Sequence, residues 1–310
     1  MATVKVLDHG HVELVDVMGG DAEIVAAARV SISGEGVRPV SEDRALIRYL
    51  LRHRHTTPFE MVVFKFRVKA PIFVFRQWHR HRMASINEMS ARYSEMPEQF
   101  YVPQHEHVAF QATQNKQGRA ETVPYALAGH FQDAVCRGAA AAFHDYHTFI
   151  GRAEAADIAN HDCFDGDDAA TLKGGGGIAR ELARINLPLG TYSEMIWKID
   201  LHNLLHFLRL RLDEHAQYEI RAYAEVIAEM VQKYCPLAYE AFVDYQLQAV
   251  TLSLHEQLAL RAVVGQLIGE TGQQTAVAAI IDAAMAAVDW PTKRERDEAW
   301  AKFGTLLEWR

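Results

Sequence analysis

The chain has few cysteines and nothing that resembles a metal-binding cysteine motif. Its 310 residues include three cysteines, Cys136, Cys163 and Cys235, and no two of them have CxxC spacing. This usage argues against a disulfide framework and against a thiolate metal site. We therefore interpret each cysteine as an unreactive thiol.

Long apolar runs and excess positive charge are also missing. No stretch approaches the roughly 20 apolar residues that span a bilayer, and the N-terminal residues lack the hydrophobic segment of a signal peptide. A net charge of -8 has the wrong sign for a protein that wraps DNA or RNA, because that binding depends on neutralising phosphates. We expect a cytoplasmic protein of one large or two smaller domains, with no membrane or nucleic-acid partner.

Positive charge is present locally, in residues 52–55 and above all in residues 80–93. The second segment combines three arginines, a histidine, an amide, a carboxylate and hydroxyl groups, and it begins where the apolar stretch 64–75 ends. Guanidinium groups bind phosphate oxygens in bidentate fashion, and hydroxyl groups complete such a site. The segment predicts a phosphorylated small-molecule ligand. The alternative is a solvated basic surface.

The first hundred residues predict a mixture of helices and strands. Apolar residues on both sides of Asp8-His9-Gly10 indicate a hairpin. Helices are expected over 21–29, with Asp21 as its cap, and over 41–51. The second helix has a buried stripe formed by Leu46, Ile47, Leu50 and Leu51. Residues 61–68 indicate a strand that Ala70-Pro71 closes.

The remaining sequence is mainly helical in pattern. Residues 104–177 have a weak pattern, with a small-residue helix around 138–142 and a glycine run at 174–177 that lacks the Lys-Ser/Thr ending of a P-loop, so we interpret the run as a linker. Leucines from Leu201 to Leu212 form one helical stripe, with His202, His206 and Arg209 on another side. A further helix is expected over 216–234, ending at Cys235-Pro236. Residues after 249 predict a helical extension with a break at Trp290-Pro291.

Two histidine motifs are compatible with metal binding, and the sequence leaves other roles open for each of them. His202 and His206 have i, i+4 spacing, but Asn203 stands where a zincin has glutamate. They are also compatible with hydrogen bonding in a groove or with contact to a cofactor ring or phosphate. His161-Asp162 resembles the pair of metal-dependent phosphohydrolases, with a solvated turn as the alternative. We predict no metal.

Residues 80–92 resemble the signature of the flavin-dependent thymidylate synthases. Arg80-His81-Arg82 is followed after seven residues by Ser90, and further similar blocks lie at 55–60, 70–78, 183–188 and 210–220. The resemblance covers most of residues 1–248, which we assign to a catalytic domain with a long insertion at about 104–177. We expect an α/β (α+β) fold with a central, mostly antiparallel sheet flanked by helices. Residues 249–310 would be an appended helical segment.

The resemblance implies reductive methylation of dUMP to dTMP. Methylenetetrahydrofolate would supply the carbon, and FAD reduced by NADPH would supply the hydride. The residues implied for dUMP are Gln77, Arg80, Glu88, Ser90, Arg92, Arg184 and Arg211. Those implied for FAD are Thr57, Arg80, His81, Arg82, Glu88, Asp200, His202 and His206. Arg211 would be catalytic, because a fixed cation beside N3 and O2 of uracil can stabilise negative charge and so activate C5.

The resemblance also implies a homotetramer whose subunits share active sites. Three alternatives remain at this point. One is an RNA- or nucleotide-binding module that uses the basic segment, and another is a metal-dependent phosphohydrolase. The third is a cysteine-dependent thymidylate synthase, but its cysteine follows a proline, whereas Cys235 precedes Pro236.

Overall fold

The computed structural model describes residues 3–30, 40–113, 118–152, 171–172, 176–271 and 274–307. The chain divides into two compact units, Met1–Leu247 and Gln248–Arg310. His161, Asp162 and Cys163 lie outside the described residues, as do the first two glycines of the 174–177 run.

The first unit contains a five-stranded antiparallel sheet. The strands are β1 (Thr3–Val6), β2 (Gly10–Met18), β3 (Val63–Pro71), β4 (Ser85–Glu88) and β7 (Tyr192–Asp200), in the spatial order β1-β2-β3-β7-β4. The predicted hairpin is β1 and β2. A separate two-stranded hairpin consists of β5 (Ala109–Gln111) and β6 (Arg119–Thr122). The expected fold class, helices around a mostly antiparallel sheet, is confirmed.

Helices account for most of the remaining described chain. In the first unit they are α1 (Asp21–Arg29), α2 (Val40–Arg52), α3 (Thr57–Glu60), α4 (Ile72–Trp78), α5 (Tyr125–Phe149), α6 (Arg180–Ala183), α7 (Leu201–Arg211), α8 (Tyr218–Tyr234) and α9 (Pro236–Phe242). The second unit contains α10 (Leu254–Thr271), α11 (Gln274–Ala287) and α12 (Lys293–Leu307). The helices predicted at 21–29, 41–51, 201–212 and 216–234 are confirmed. Among the described residues, no helix has both the length and the apolar character needed to cross a membrane.

Asp21 has a different role from the predicted one. The residue before α1 is Gly20, and Asp21 lies in the first turn of the helix. Its carboxylate accepts hydrogen bonds from the backbone N–H groups of Leu237 at 2.7 Å and Ala238 at 3.0 Å. Asp21 therefore caps α9 across a tertiary contact, and the prediction that it caps its own helix is wrong. An unpaired helix N-terminus attracts a carboxylate from any element that packs beside it.

Strand β7, which lies between β3 and β4, was not predicted from the sequence. All nine residues of β7 pair with β3, from Val63 opposite Asp200 to Pro71 opposite Tyr192. Met195, Trp197 and Ile199 are buried while Lys198 is exposed. This alternation with a period of two is the usual signal of a strand, and it was present in the sequence.

Two helices begin directly at the ends of the paired strands β3 and β7. Strand β3 ends at Pro71 and α4 begins at Ile72, while β7 ends at Asp200 and α7 begins at Leu201. Because the strands are antiparallel, the helices leave opposite ends of the sheet. A nine-residue strand is about 30 Å long, and helices of seven and eleven residues are about 10 Å and about 16 Å long. If both helices fold back over the sheet, their C-terminal ends come close together.

An aromatic cluster holds these two helices on one face of the sheet. Trp197 of β7 lies with its ring centroid 5.1 Å from that of Trp78 in α4 and 5.1 Å from that of Phe207 in α7. The rings of Trp78 and Phe207 are 4.9 Å apart. All three side chains are fully buried. Burial of such large rings contributes strongly to stability, so the cluster fixes the ends of both helices.

Candidate active site

The ends of α4 and α7 border a cleft that collects several predicted residues. We call it the Arg211 cleft. Its volume is about 490 Å³, and it is lined by Arg80, His81, Arg82, Met83, Ile199, Asn203, His206, Leu210 and Arg211. Five of these were predicted from the sequence. The fold thus joins the basic segment with residues more than a hundred positions further along the chain.

Arg211 is held in place by two hydrogen bonds. Its Nε donates to Nε2 of His81 at 3.1 Å, and its Nη2 donates to the backbone carbonyl oxygen of Gln77 at 3.2 Å. Burial lowers the pKa of the Arg211 guanidinium, but this group keeps its proton in proteins. The planar fork has five N–H donors, and within the described residues the three others have no protein partner and can meet a ligand. The arrangement presents a fixed cation to the cleft.

His81 accepts the hydrogen bond from Arg211 because it is neutral. Its side chain is buried and its ring edge packs against Phe207 at a centroid distance of 4.9 Å. Burial, with the positive charges of Arg211 and His206, lowers the pKa of His81 from 6.5 to about 4. Nε2 is then an acceptor, and Nδ1 carries the proton.

A second cleft holds two other predicted residues, and we call it the Glu88 cleft. Its volume is about 300 Å³, and its lining includes Glu88 and Arg184 together with Arg76, His79 and Ser193. Glu88 accepts a hydrogen bond from the Ser193 hydroxyl at 2.8 Å, and its other oxygen lies 3.8 Å from Nε2 of His79. His79 and Ser193 were not predicted as site residues. Ser193 lies in β7, a strand that was not predicted either. Among the residues that the structure describes, none lines both clefts.

Ser90 and Arg92 lie in the turn after β4 and line neither cleft. The Ser90 hydroxyl accepts a hydrogen bond from the Arg92 backbone N–H at 3.3 Å. Nε of Arg92 lies 3.0 Å from a carboxylate oxygen of Glu181, and both side chains are about half exposed. Such an exposed ion pair is weak, so Arg92 can exchange Glu181 for a phosphate group at little cost.

Three residues predicted for the cofactor also lie outside both clefts. Thr57 is exposed at the start of α3, and His202 lies in the first turn of α7. Asp200 is the N-cap of α7, and its two carboxylate oxygens accept from the backbone N–H of Asn203 at 2.9 Å and from its side-chain amide at 2.8 Å. In this structure Asp200 thus has a helix-capping role.

The metal alternative finds no site in the described parts of the chain. Within those residues, no group of three or more histidines, cysteines, aspartates and glutamates is arranged to hold a metal ion. Of the i, i+4 pair, His206 lines the Arg211 cleft and His202 does not.

An ion pair that was not predicted from the sequence joins β6 to α8. Glu219, at the start of α8, is 2% exposed, and Nη2 of Arg119 in β6 donates to its carboxylate oxygens at 2.6 and 2.7 Å. The Tyr101 hydroxyl donates to the same carboxylate at 3.1 Å. Burial acts to raise the pKa of Glu219, but the hydrogen bonds and charge of Arg119 outweigh it and the pKa is lowered. Glu219 is therefore ionised.

The Arg119–Glu219 pair also borders a larger cavity of about 820 Å³ below the β5–β6 hairpin. The lining is mainly apolar and aromatic, with Phe73, Phe100, Phe110 and Phe131 among its residues. The hairpin and α5, which contributes Phe131, belong to the stretch in which the sequence showed little pattern. Helix α5 has 25 residues and is much longer than the helix predicted around 138–142.

Comparison with known proteins assigns the chain to a family. A family model described as "Thymidylate synthase complementing protein" matches residues 13–237. The chain is 49% identical to a flavin-dependent thymidylate synthase of Wolbachia pipientis wMel over 249 residues, which cover 80% of this chain and 79% of that protein. It is 48% identical to the enzyme of the same name from Gluconobacter oxydans, with coverage of 87% and 81%.

Solved structures agree with this assignment. The fold is similar to that of a UMP/dUMP methylase, PolB from Streptomyces cacaoi, bound with 5-Br UMP, with a TM-score of 0.64 and 33% identity. The similarity covers 80% of this chain and 99% of that one. The same methylase bound with 5-Br dUMP gives a TM-score of 0.65 and 32% identity over 79% and 99%. The family resemblance drawn from residues 80–92 and their neighbouring blocks is confirmed.

Proposed function

Because the chain belongs to the thymidylate synthase complementing protein family, whose relatives are named flavin-dependent thymidylate synthases, we propose that it methylates dUMP to dTMP. Methylenetetrahydrofolate is the carbon donor and FAD, reduced by NADPH, is the hydride carrier. The observation that supports this proposal most directly is the guanidinium of Arg211, which His81 and the Gln77 carbonyl hold in a half-buried cleft.

Arg211 is the catalytic residue of the proposal. Its free N–H groups face N3 and O2 of uracil, where they stabilise negative charge as the ring becomes nucleophilic at C5. Partial burial strengthens this effect, because water screens the charge less in a cleft than at an open surface. The neutral state of His81 also matters, since a second cation at Nε2 would repel the guanidinium.

A covalent cysteine mechanism does not fit the thiol at the end of α8. Cys235 is fully buried, and burial, aided by the charges of Asp21 and Glu23, raises its pKa to about 12. The thiolate is the nucleophilic form of cysteine, and this environment suppresses it. Activation of C5 by Arg211 requires no enzyme nucleophile.

The residues of the Arg211 cleft fit a flavin nucleotide. Arg80, Arg82 and His206 offer N–H donors for phosphate and ring carbonyl oxygens, and Met83, Ile199 and Leu210 supply an apolar wall for a planar ring. The bound flavin would supply hydride chemistry that no side chain provides. Thr57, Glu88, Asp200 and His202 remain flavin contacts proposed from the family resemblance.

We also propose that a second subunit completes the site in a homotetramer. The residues proposed for dUMP are divided, since Arg80 and Arg211 line one cleft while Glu88 and Arg184 line another. A neighbouring subunit can bring its Glu88 cleft to the Arg211 cleft of the first. Mixing inactive Arg211→Ala and Arg184→Ala variants under subunit exchange should then restore part of the activity. If each site lies within one chain, mixing restores none.

The proposed function is tested with the full chain. Purified protein should contain or take up FAD, oxidise NADPH in the presence of dUMP and form dTMP when methylenetetrahydrofolate is added. UMP should be assayed in parallel, because a structural relative is described as acting on both nucleotides. A colourless protein that takes up no FAD and oxidises no NADPH would refute the proposal. Activity lost on chelation, or RNA binding with steep salt dependence, would instead favour the other classes.

A further inference from the structure

A chain of hydrogen bonds runs from the buried ion pair to the side chain of Gln77. We propose that Gln217 is a positioning residue that fixes the orientation of the Gln77 side-chain amide. The side-chain Oε1 of Gln77, and not its Nε2, then faces the dUMP site. This inference rests on the proposed function and adds two residues, Gln217 and Glu219, to the machinery that recognises the nucleotide.

The first step is the charge of Glu219. An ionised carboxylate can accept hydrogen bonds and has none to donate. Arg119 donates to both of its oxygens, and the Tyr101 hydroxyl donates to one of them. Glu219 is almost entirely buried, whereas the Arg119 side chain is 35% exposed. Any further polar neighbour of Glu219 must therefore be a donor.

The second step fixes the orientation of Gln217. Its side chain lies 2.8 Å from a Glu219 carboxylate oxygen, and only its Nε2 can donate there. The two ends of an amide are hard to distinguish by shape, but the hydrogen-bond network distinguishes them. With Nε2 directed at Glu219, the Oε1 of Gln217 is the end that remains for another partner. That partner is Gln77.

The third step fixes the orientation of the Gln77 side-chain amide. Nε2 of Gln77 donates to Oε1 of Gln217. The opposite orientation of Gln77 would place two carbonyl oxygens against each other, which is repulsive. Oε1 of Gln77 is therefore left as an acceptor, on the same residue whose backbone carbonyl binds Nη2 of Arg211. Residue 77 thus contacts the Arg211 cation through its backbone and keeps a neutral acceptor on its side chain.

An acceptor at this position selects a specific part of the nucleotide. In dUMP the ionised phosphate and the uracil carbonyls are acceptors, and the only donors are N3–H and the 3′-hydroxyl. Gln77 must therefore bind one of these two groups. Two analogues separate them, since 2′,3′-dideoxyuridine monophosphate lacks the hydroxyl and 3-methyl-dUMP lacks the N3 proton.

The test compares binding of dUMP and the two analogues to the flavin-loaded full chain by calorimetry. For the wild-type protein, one analogue should bind about tenfold more weakly, as expected for the loss of one hydrogen bond next to a charged group. In Gln217→Leu the Gln77 amide is free to rotate, so the same analogue should differ from dUMP by about twofold or less. Gln217 is exposed, so this substitution should leave the thermal unfolding midpoint nearly unchanged.

A second variant, Glu219→Gln, replaces the carboxylate by an amide of nearly the same shape. In Glu219→Gln, Arg119 and Tyr101 keep the new carbonyl oxygen at the Oε1 position, so the NH₂ group takes the Oε2 position, where one hydrogen bond from Arg119 is lost. The NH₂ group then faces Gln217, which must turn round and reverse Gln77 as well. Discrimination against the analogue should again disappear. The matched control is Gln132→Leu, because Gln132 is half-buried and donates to the Pro103 carbonyl outside this network. It should keep the full wild-type discrimination.

The results separate the inference from the proposed function. If wild-type protein fails to bind dUMP, the proposed function fails. If it binds dUMP and both analogues equally well, or if Gln217→Leu keeps the wild-type discrimination, the positioning role is wrong while the proposed function stands. Should Glu219→Gln fold poorly, the exposed Gln217→Leu variant decides the question alone.

Discussion

Arg211→Lys is the most informative substitution in this protein, because lysine keeps the positive charge and lacks the planar fork of guanidinium N–H donors. In the structure, Nε and Nη2 of Arg211 are bound to His81 and to the Gln77 carbonyl, and the rest of the guanidinium faces the cleft. A lysine ammonium is a single point with three donors on a flexible stem. It cannot reach both anchors and the ligand at once.

The expected size of the effect follows from these contacts. Removing one donor to a charge that develops in the transition state lowers kcat by about 10²–10³-fold. Arg211→Ala loses every such donor and also leaves the His81 and Gln77 acceptors without partners, so we expect a loss of at least about 10³-fold. Arg211→Lys retains a mobile charge and should lose about 10²-fold. Both variants should still bind FAD.

The assay follows dTMP formation and, separately, the release of tritium from dUMP labelled at C5. Tritium release reports removal of the C5 proton, and visible absorbance reports the bound flavin. Arg209→Lys is the matched control, since Arg209 is an exposed arginine on the same helix that lines neither cleft. If the rate of dTMP formation by Arg211→Lys stays within threefold of the wild-type rate, the fixed guanidinium fork is unimportant for catalysis. If Arg211→Ala still releases tritium at the normal rate, the role in uracil activation is wrong.

Three further predictions concern single residues. His81 has a pKa of about 4 in the native protein, whereas in the unfolded chain its pKa is near the ordinary value of 6.5. Its contribution to stability is therefore complete above pH 6.5 and is lost as the pH falls towards 4, so His81→Gln should lose less stability than the wild type over this range in urea unfolding. Exposed Cys136 should react readily with a thiol reagent, while buried Cys235, with a pKa of about 12, should react only after unfolding, as peptide mapping would show. Trp197→Ala should cost about 3–5 kcal/mol of the free energy of unfolding, and a loss below 1 kcal/mol would contradict the role of the aromatic cluster.

Periodic patterns predicted the elements whose stability depends on one apolar face. In the stripe predicted for α2, Ile47, Leu50 and Leu51 are buried and Leu46 is partly buried, because an amphipathic helix buries residues three and four positions apart. Strand β7 has an equally regular pattern in Met195, Trp197 and Ile199, but this pattern runs directly into the leucine stripe that begins at Leu201. Two elements joined without a loop leave no turn residues to mark the boundary.

Residues that line the Arg211 cleft were predictable where they form a compact motif, and their tertiary partners were not. Arg80, His81 and Arg82 were prominent in the sequence, and family resemblance added Arg211. Nothing local relates Gln217 to Gln77, since 140 positions separate them. Asp21 illustrates the same limit, because its capping role depends on a helix that begins at Pro236. Hydrogen-bond partners distant in sequence are set by the fold as a whole.

The loop-free joints at Pro71 and Asp200 make the proposed active site intolerant of length changes. One residue inserted at either joint would turn the following helix by about 100° and advance it by about 1.5 Å, so the hydrogen bond between Arg211 and the Gln77 carbonyl would be lost. A shift in the pairing of β3 with β7 would have a similar effect, because each helix inherits its position from its strand. Insertions and deletions in homologous chains should therefore avoid both joints and gather in the long connection between β4 and β7. The register of β3 with β7 therefore sets the distance between Gln77 and Arg211.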